Sequence, residues 1–74
     1  GHGRRSTREF LKHLSYSAGS LCEMETQIIL AFLLGYFSQG VQDQLLGRAA
    51  EIGRMLNGLT AALERKLASE GNPA

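Results

Sequence analysis

The sequence is poor in residues that break helices or cross-link small proteins: its 74 residues include one proline, one cysteine and no tryptophan. The single proline is Pro73, and an alternation of β-branched residues is absent, so we expect helices and no strands. Cys22 alone cannot form an intrachain disulfide, which leaves no argument for secretion. We therefore expect a reducing, cytoplasmic setting.

Long apolar runs and an excess of one charge are also lacking. The longest apolar run covers residues 28–34, which is far below the roughly 20 residues that span a bilayer, and the N-terminus lacks a signal-peptide pattern. We expect no membrane or targeting segment. Eight basic and seven acidic residues give a formal charge of +1, which excludes a highly charged arm or tail. The length allows one small helical domain over residues 1–74.

What is present is a helical pattern in two segments. Ser6 and Glu9 form a capping-box pattern, Gly35 is a natural helix stop, and Ser38 or Gln39 restarts the chain. The predicted organisation is a helix over about 6–34, a turn over about 35–38, a helix over about 39–69 and a frayed tail over 70–74. Because the turn is short, we expect antiparallel helices in which position i lies near position 73 − i.

Apolar residues recur at spacings of three and four, which indicates one buried face on each helix. In the first helix the predicted buried stripe comprises Phe10, Leu14, Ser17 or Ala18, Leu21, Met24, Ile28 and Ala31 or Phe32. In the second it comprises Val41, Leu45, Ala49, Ile52, Met55 or Leu56, Leu59, Ala62 or Leu63, and Leu67.

Two helices alone form a thin structure. Ordering a residue costs on the order of 1.5 kcal/mol, and two helices shield each other on one side only, so we expect further helices to be needed. Residues 28–34 are apolar all round the helix, which favours a second buried face near the turn. The candidate oligomer interface comprises Ile28, Ile29, Phe32, Leu33, Tyr36 and Phe37.

Glycines in the second helix leave two interpretations open. Gly40, Gly47, Gly53 and Gly58 each cost up to about 1 kcal/mol relative to alanine. Either they are tolerated small residues, or they permit close helix approach, since Gly19 and Gly58 would lie at similar heights.

Basic residues crowd one end of the expected hairpin. The candidate nucleic-acid-binding residues are Arg4, Arg5, Arg8 and Lys12 in the first helix, joined by Arg65 and Lys66 through antiparallel pairing. Such a cluster favours contact with phosphates; the alternatives are a solvated surface or pairing between subunits. No aromatic residues are interleaved with the cluster in the way that base stacking needs, so we expect electrostatic binding without sequence readout.

Residues for catalysis or metal binding do not converge in the sequence. Glu23 and Glu25 point in different directions on a helix, so they form no acid/base pair, and Glu25 is a candidate ion-pair partner of Arg48. Cys22 lies too far along the helix from His13 to be activated by it, so we expect a small buried residue. The two histidines lack metal-ligand spacing. We expect no enzyme activity, no metal and no cofactor.

Four sequence stretches carry a family resemblance: GHGRRSTREFL at 1–11, GSLCEMETQ at 19–27, LGY at 34–36 and EIGRMLNGL at 51–59. Together they resemble the bacterial four-helix bundle family of 23S rRNA intervening-sequence proteins, over residues 1 to about 67. Family members usually carry two more helices upstream, which end in a glycine-rich turn like Gly1-His2-Gly3. The chain is therefore similar to the C-terminal half of a member.

The resemblance implies both a fold and partners. The fold class is all-α, an antiparallel helical hairpin forming half of an up-and-down four-helix bundle, completed by missing N-terminal helices or by oligomerisation. Homo-oligomers, described for the family as five-fold rings, are implied. RNA or DNA is the leading further partner, because some members are encoded inside 23S rRNA genes and proteins that look like distant relatives bind nucleic acid. The alternative is a structural adaptor that binds another protein through the apolar face at Ile28 to Phe37.

Overall fold

The computed structural model describes residues 2–70, apart from the side chain of His2, and these residues form two helices. Helix α1 covers His2–Leu33 and helix α2 covers Gln39–Glu70. They pack against each other as a hairpin of 57 × 15 × 12 Å, which confirms the predicted all-α class. The end of α1 and both ends of α2 lie within one residue of the predicted positions. Residues 71–74 of the predicted frayed tail lie outside the described residues, and Glu70 is helical.

The start of α1 differs from the prediction. The helix begins at His2, so Ser6 lies inside it, and the capping-box interpretation of Ser6 and Glu9 is wrong. The residues just before Ser6 include no proline, and Gly3 lowers helix propensity without preventing a helix, so α1 extends through them. The buried Thr7 hydroxyl donates a 2.8 Å hydrogen bond to the Gly3 carbonyl one turn earlier, which satisfies it within the extended helix.

Gly35 terminates helix α1, as predicted, two residues after the last helical residue, Leu33. Its φ of 85° lies in the left-handed region, which glycine enters without a Cβ clash. The Gly35 N–H donates to the Phe32 carbonyl at 2.9 Å, and the Tyr36 N–H donates to the Ala31 carbonyl at 3.0 Å. These two bonds form a Schellman motif, which satisfies carbonyls that the helix end would otherwise leave free.

Helix α2 begins directly after a capping serine. The Ser38 Oγ accepts a 3.2 Å hydrogen bond from the Val41 N–H, and the Ser38 carbonyl accepts one of 3.0 Å from the Gln42 N–H. Of the two restart positions that the sequence left open, Ser38 is therefore the N-cap and Gln39 the first helical residue.

The helices meet along a seam in which spacings of three and four alternate, the seven-residue repeat of a coiled coil. The seam residues of α1, all buried or half-buried, are Arg4, Thr7, Leu11, Leu14, Ala18, Leu21, Glu25, Ile28 and Phe32. Those of α2, likewise buried or half-buried, are Gln42, Leu46, Ala49, Gly53, Leu56, Thr60, Leu63 and Leu67. The core is narrow, since Thr7, Leu14 and Ala49 are its buried residues and the rest are half-buried.

The predicted buried stripe of α1 is partly wrong. Leu14, Leu21 and Ile28 lie in the seam as predicted, whereas Phe10 and Met24 are exposed. Leu14, Leu21 and Ile28 belong both to the predicted stripe and to the observed seam. The two stripes overlap because each is built from spacings of three and four. The stripe through Phe10 and Met24 is the more apolar of the two, but the helix pair uses the other.

The same ambiguity affects α2. Ala49 and Leu56 lie in the seam, whereas Ile52 and Leu59 of the predicted stripe are exposed. Each helix therefore carries more apolar surface than the seam covers, and the surplus lies beside the seam.

The antiparallel register is confirmed by two close approaches. The Glu70 Oε2 lies 2.8 Å from where a Cβ on Gly3 would stand, and the Leu21 Cδ2 lies 3.5 Å from the corresponding position on Gly53. The residue numbers add to 73 for Gly3 with Glu70 and to 74 for Leu21 with Gly53. Both sums agree with the prediction that position i lies near position 73 − i.

The glycines do not produce the predicted close approach. Gly19 and Gly58 have no atom within 4 Å of the position of a Cβ, and the same holds for Gly47. Gly53 faces Leu21 across the seam at ordinary contact distance. Within the hairpin, Gly19, Gly47 and Gly58 are therefore tolerated small residues, and the interpretation as close packing of Gly19 against Gly58 is wrong.

Candidate nucleic-acid interface and the two flanks of the hairpin

The seam separates two flanks of the hairpin, and one of them is apolar. It carries a hollow of about 380 Å³ whose floor is formed by Leu21 and Leu56 of the seam. The residues around the floor are Ser17, Ser20, Met24 and Ile52. Steps of seven residues extend this surface along both helices. We define the apolar flank as Phe10, Ser17, Ser20, Met24, Leu45, Ile52 and Leu59.

The opposite flank is polar. It carries a smaller depression of about 170 Å³, lined beside the seam by Cys22, Ala50 and Asn57. The same steps of seven define the polar flank as Arg8, Ser15, Cys22, Ile29, Asp43, Ala50, Asn57 and Glu64. Ile29 is the large apolar residue of this flank, so it offers little apolar surface.

Three of the predicted basic residues form a row along the outer edge of the polar flank. Arg5, Arg8 and Lys12 are spaced three and four residues apart, so they lie on one face of α1. We call Arg5, Arg8 and Lys12 the basic row. Arg4 lies next to it at the end of the seam, and Arg4, Arg5, Arg8 and Glu9 line a groove of about 380 Å³. The structure thus brings the four α1 cations together.

The basic row is only weakly neutralised. The Arg5 Nε lies 3.8 Å from the Glu9 Oε1, and both side chains are largely exposed, so water screens the pair. No other salt bridge is found among residues 2–70. The Nε of the half-buried Arg4 has no hydrogen-bond partner among the described residues.

Arg65 and Lys66 reach the same end of the hairpin but not the same face. The antiparallel register places both near the height of Arg8. Lys66 follows Leu59 by seven residues, so it lies at the end of the apolar flank, whereas Arg65 lies on the outer face of α2. The six predicted residues therefore surround the end of the hairpin, and four of them share one surface.

Charge is distributed unevenly along the hairpin. The open end, residues 2–13 and 60–70, holds six basic and three acidic side chains, a formal +3. The turn half, residues 14–59, holds two basic and four acidic side chains, a formal −2. An anion therefore approaches the open end more favourably than the turn half.

The predicted oligomer interface is divided by the structure. Ile28 and Phe32 lie half-buried in the seam, and Phe37 is half-buried after the turn. Ile29 and Leu33 are exposed on the side of the polar flank, and Tyr36 is 77% exposed at the turn. Sequence reasoning identified most residues of the apolar flank as the buried stripe of each helix, but it assigned that stripe to the contact between α1 and α2 and not to an exposed surface.

The remaining candidate groups stay apart. The predicted ion pair between Glu25 and Arg48 is not formed among the described residues: Glu25 is half-buried in the seam beside Ala49, and Arg48 is exposed. Cys22 was expected to be buried but is exposed on the polar flank. Within residues 2–70, histidine, cysteine and acidic residues form no group of three or more that could hold a metal ion.

Neither α1 nor α2 combines the length and the apolar character that crossing a membrane requires. The fold and surfaces define a class: a two-helix antiparallel coiled-coil hairpin with one basic end. Comparison with family models identifies the family within that class. The sequence matches the model described as 23S rRNA-intervening sequence protein over residues 1–58, and the chain belongs to this family. The comparisons with curated proteins and with solved structures give no match.

Proposed function

We propose that this protein is a non-enzymatic, oligomeric helical protein of the bacterial cytoplasm whose basic end binds the phosphates of RNA. The observation that carries the proposal is the basic row of Arg5, Arg8 and Lys12, in which Arg5 and Arg8 share one groove with Arg4. All four residues lie in the part of the chain that matches the family.

The chemistry of the row suits a phosphate backbone. Guanidinium groups donate two parallel hydrogen bonds to a phosphate, and three of the four cations are arginines. Because the cations of the row lie three and four residues apart, they repel one another in the free protein. A bound anion relieves that repulsion. The contact between Arg5 and Glu9 is long and exposed, so a phosphate can replace Glu9 at little cost.

The same surface offers no support for sequence readout. Single-stranded RNA is read by stacking of bases on aromatic side chains. Phe10, the aromatic residue inside the basic cluster, lies on the apolar flank and away from the basic row. We therefore propose binding that depends on charge and is insensitive to sequence.

A non-enzymatic role is favoured by the separation of reactive groups. Cys22 lies on the polar flank, and His13 lies more than two turns before it on the same helix. A nucleophile and its base must come within hydrogen-bond reach of each other.

The proposal is tested by fluorescence anisotropy with an unstructured RNA at several salt concentrations. We expect the double reversal Arg5→Glu with Arg8→Glu to weaken binding more than about tenfold. The slope of log K against log salt concentration should become less steep by about 0.7 for each phosphate contact that is lost. The matched control reverses Arg48 and Arg54, two exposed arginines of the turn half, and should change affinity by less than about threefold. Equal losses in the two double variants, or no binding at low salt, would contradict the proposal.

A structural adaptor is the second candidate, and exposed apolar residues at the turn end favour it. Leu33, Leu34 and Tyr36 are well exposed there, so they are available to another protein. A defined oligomer that retains no RNA at low salt would favour the adaptor over the RNA-binding protein.

A further inference from the structure

We propose that two exposed aromatic residues of α1, His13 and Tyr16, form a surface on which an unpaired base of single-stranded RNA stacks. We call these two residues the aromatic pair. The inference rests on the proposed function, because it adds one base contact to the phosphate contacts of the basic row.

The aromatic pair lies one turn beyond the basic row. Tyr16 follows Lys12 by four residues, so the two side chains are neighbours on the helix surface, about 6 Å apart along its axis. A nucleotide whose phosphate contacts Lys12 can therefore bring its base to Tyr16. Proteins hold single-stranded nucleic acids by this combination of cations along the backbone and aromatic rings against the bases.

The ring of Tyr16 is available to a base. Tyr16 is 61% exposed, and its ring meets the ring of His13 edge to face, with the centroids 6.4 Å apart and 73° between the planes. An edge-to-face contact is a favourable arrangement that orients two rings without stacking one on the other. The contact with His13 therefore positions Tyr16 and leaves most of its side chain uncovered.

The surroundings limit the contact to one end of the hairpin. Within residues 2–70, the other well-exposed aromatic side chains are Phe10 on the apolar flank and Tyr36 at the turn, in the half that carries a formal −2. Glu23 follows Tyr16 by seven residues on the same face of α1, so it repels a strand that continues toward the turn. The expected footprint is the basic row and the aromatic pair.

The aromatic pair distinguishes unpaired from paired RNA and does not read sequence. Every base has a face that can stack, so stacking on Tyr16 agrees with the sequence-insensitive binding proposed above. In a duplex each base is already stacked on its neighbours, and drawing it out costs free energy. Tyr16 should therefore strengthen the binding of single-stranded RNA and contribute nothing to the binding of a duplex.

The first test compares the two tyrosines of the chain, both of which are exposed. In anisotropy titrations with a single-stranded oligouridine, Tyr16→Ala should weaken binding about fivefold or more, because a stacked base is lost. Tyr16→Phe keeps a ring and should bind within about twofold of the unaltered chain. Tyr36→Ala, the matched control, should leave the affinity unchanged.

Two further titrations separate the aromatic pair from the basic row. The slope of log K against log salt concentration should be the same for Tyr16→Ala as for the unaltered chain, because no phosphate contact is lost. An RNA duplex of the same length should bind Tyr16→Ala as tightly as it binds the unaltered chain.

The second test observes the ring itself. The sequence has two tyrosines and no tryptophan, so Tyr36→Phe leaves Tyr16 as the fluorescent side chain. We expect saturating oligouridine to quench this emission by about half or more, because the base lies against the ring. In Tyr16→Phe the reporter is Tyr36, and its emission should fall only by the light that the RNA absorbs. Equal quenching in the two variants would overturn the proposal.

Failure of this inference is distinguishable from failure of the proposed function. If Tyr16→Ala bound oligouridine as tightly as the unaltered chain, or lost affinity for the duplex by the same factor, the aromatic pair would not hold a base and the basic row would be unaffected. If the unaltered chain bound no RNA at low salt, the proposed function would fail, and the stacking contact with it.

Discussion

The polar and apolar flanks lie on the same two helices, yet they carry opposite chemistry. The polar flank presents Arg8, Asp43 and Glu64 to water, whereas the apolar flank presents Phe10 and Ile52. The seam between them is not the most apolar stripe available, since it includes Arg4, Thr7 and Glu25. Each helix therefore carries more apolar surface than the pairing of α1 with α2 covers, and the apolar flank holds much of the surplus.

The seam holds α1 and α2 together, so truncating a buried seam residue should have the largest effect on stability. Leu14→Ala removes a buried side chain, and we expect it to lower the free energy of unfolding by about 2–3 kcal/mol. Tyr16→Ala, two residues later on an exposed position, should change it by less than about 0.5 kcal/mol. Chemical denaturation followed by circular dichroism measures both. Similar losses in the two variants would show that the seam is not where the structure places it.

The turn fixes which residues of α1 and α2 share a flank, and its effect should be intermediate. Gly35→Ala puts a Cβ into the left-handed region, so we expect a loss of about 1 kcal/mol in thermal or chemical unfolding. Gly58→Ala should have the opposite sign, with a gain of up to about 1 kcal/mol, because that helical position has open space. Destabilisation by Gly58→Ala would indicate that another chain packs closely against Gly58.

The smallest expected effect is that of Glu9, which tests whether the basic row governs RNA binding. Glu9→Gln removes the carboxylate that faces Arg5, so we expect RNA binding at low salt to tighten by a factor of about two to five. Glu51→Gln removes an exposed carboxylate of the turn half by the same change and should tighten binding less. Anisotropy titrations of the two variants in parallel measure the difference. Equal gains would mean that net charge, and not the basic row, governs binding.

Helix content, turn and register could all be predicted because each has a local cause. The absence of internal proline, the glycine at Gly35 and the short connection to Ser38 are sufficient for a hairpin. The start of α1 could not be predicted, since Ser6 and Glu9 have the cap pattern while the residues before them are also able to be helical.

The gathering of cations at one end was predicted correctly, but their division between faces was not. The linear sequence gives the height of Arg65 and Lys66 in the hairpin, whereas their faces depend on which stripe forms the seam. Because two stripes share Leu14, Leu21 and Ile28, that choice is made by helix pairing and not by periodicity. The same choice leaves the predicted stripe exposed as the apolar flank.

If the two flanks bind different partners independently, a change in one flank leaves the partner of the other flank in place. Sedimentation velocity with a labelled RNA reports protein mass and bound RNA together for the unaltered chain, for Ile52→Asp, and for Arg5→Glu with Arg8→Glu. We expect Ile52→Asp to lower the mass of the protein and still to bind RNA, whereas the double arginine variant should keep its mass and release the RNA. If either variant lost both properties while remaining helical, the separation of the flanks would be contradicted.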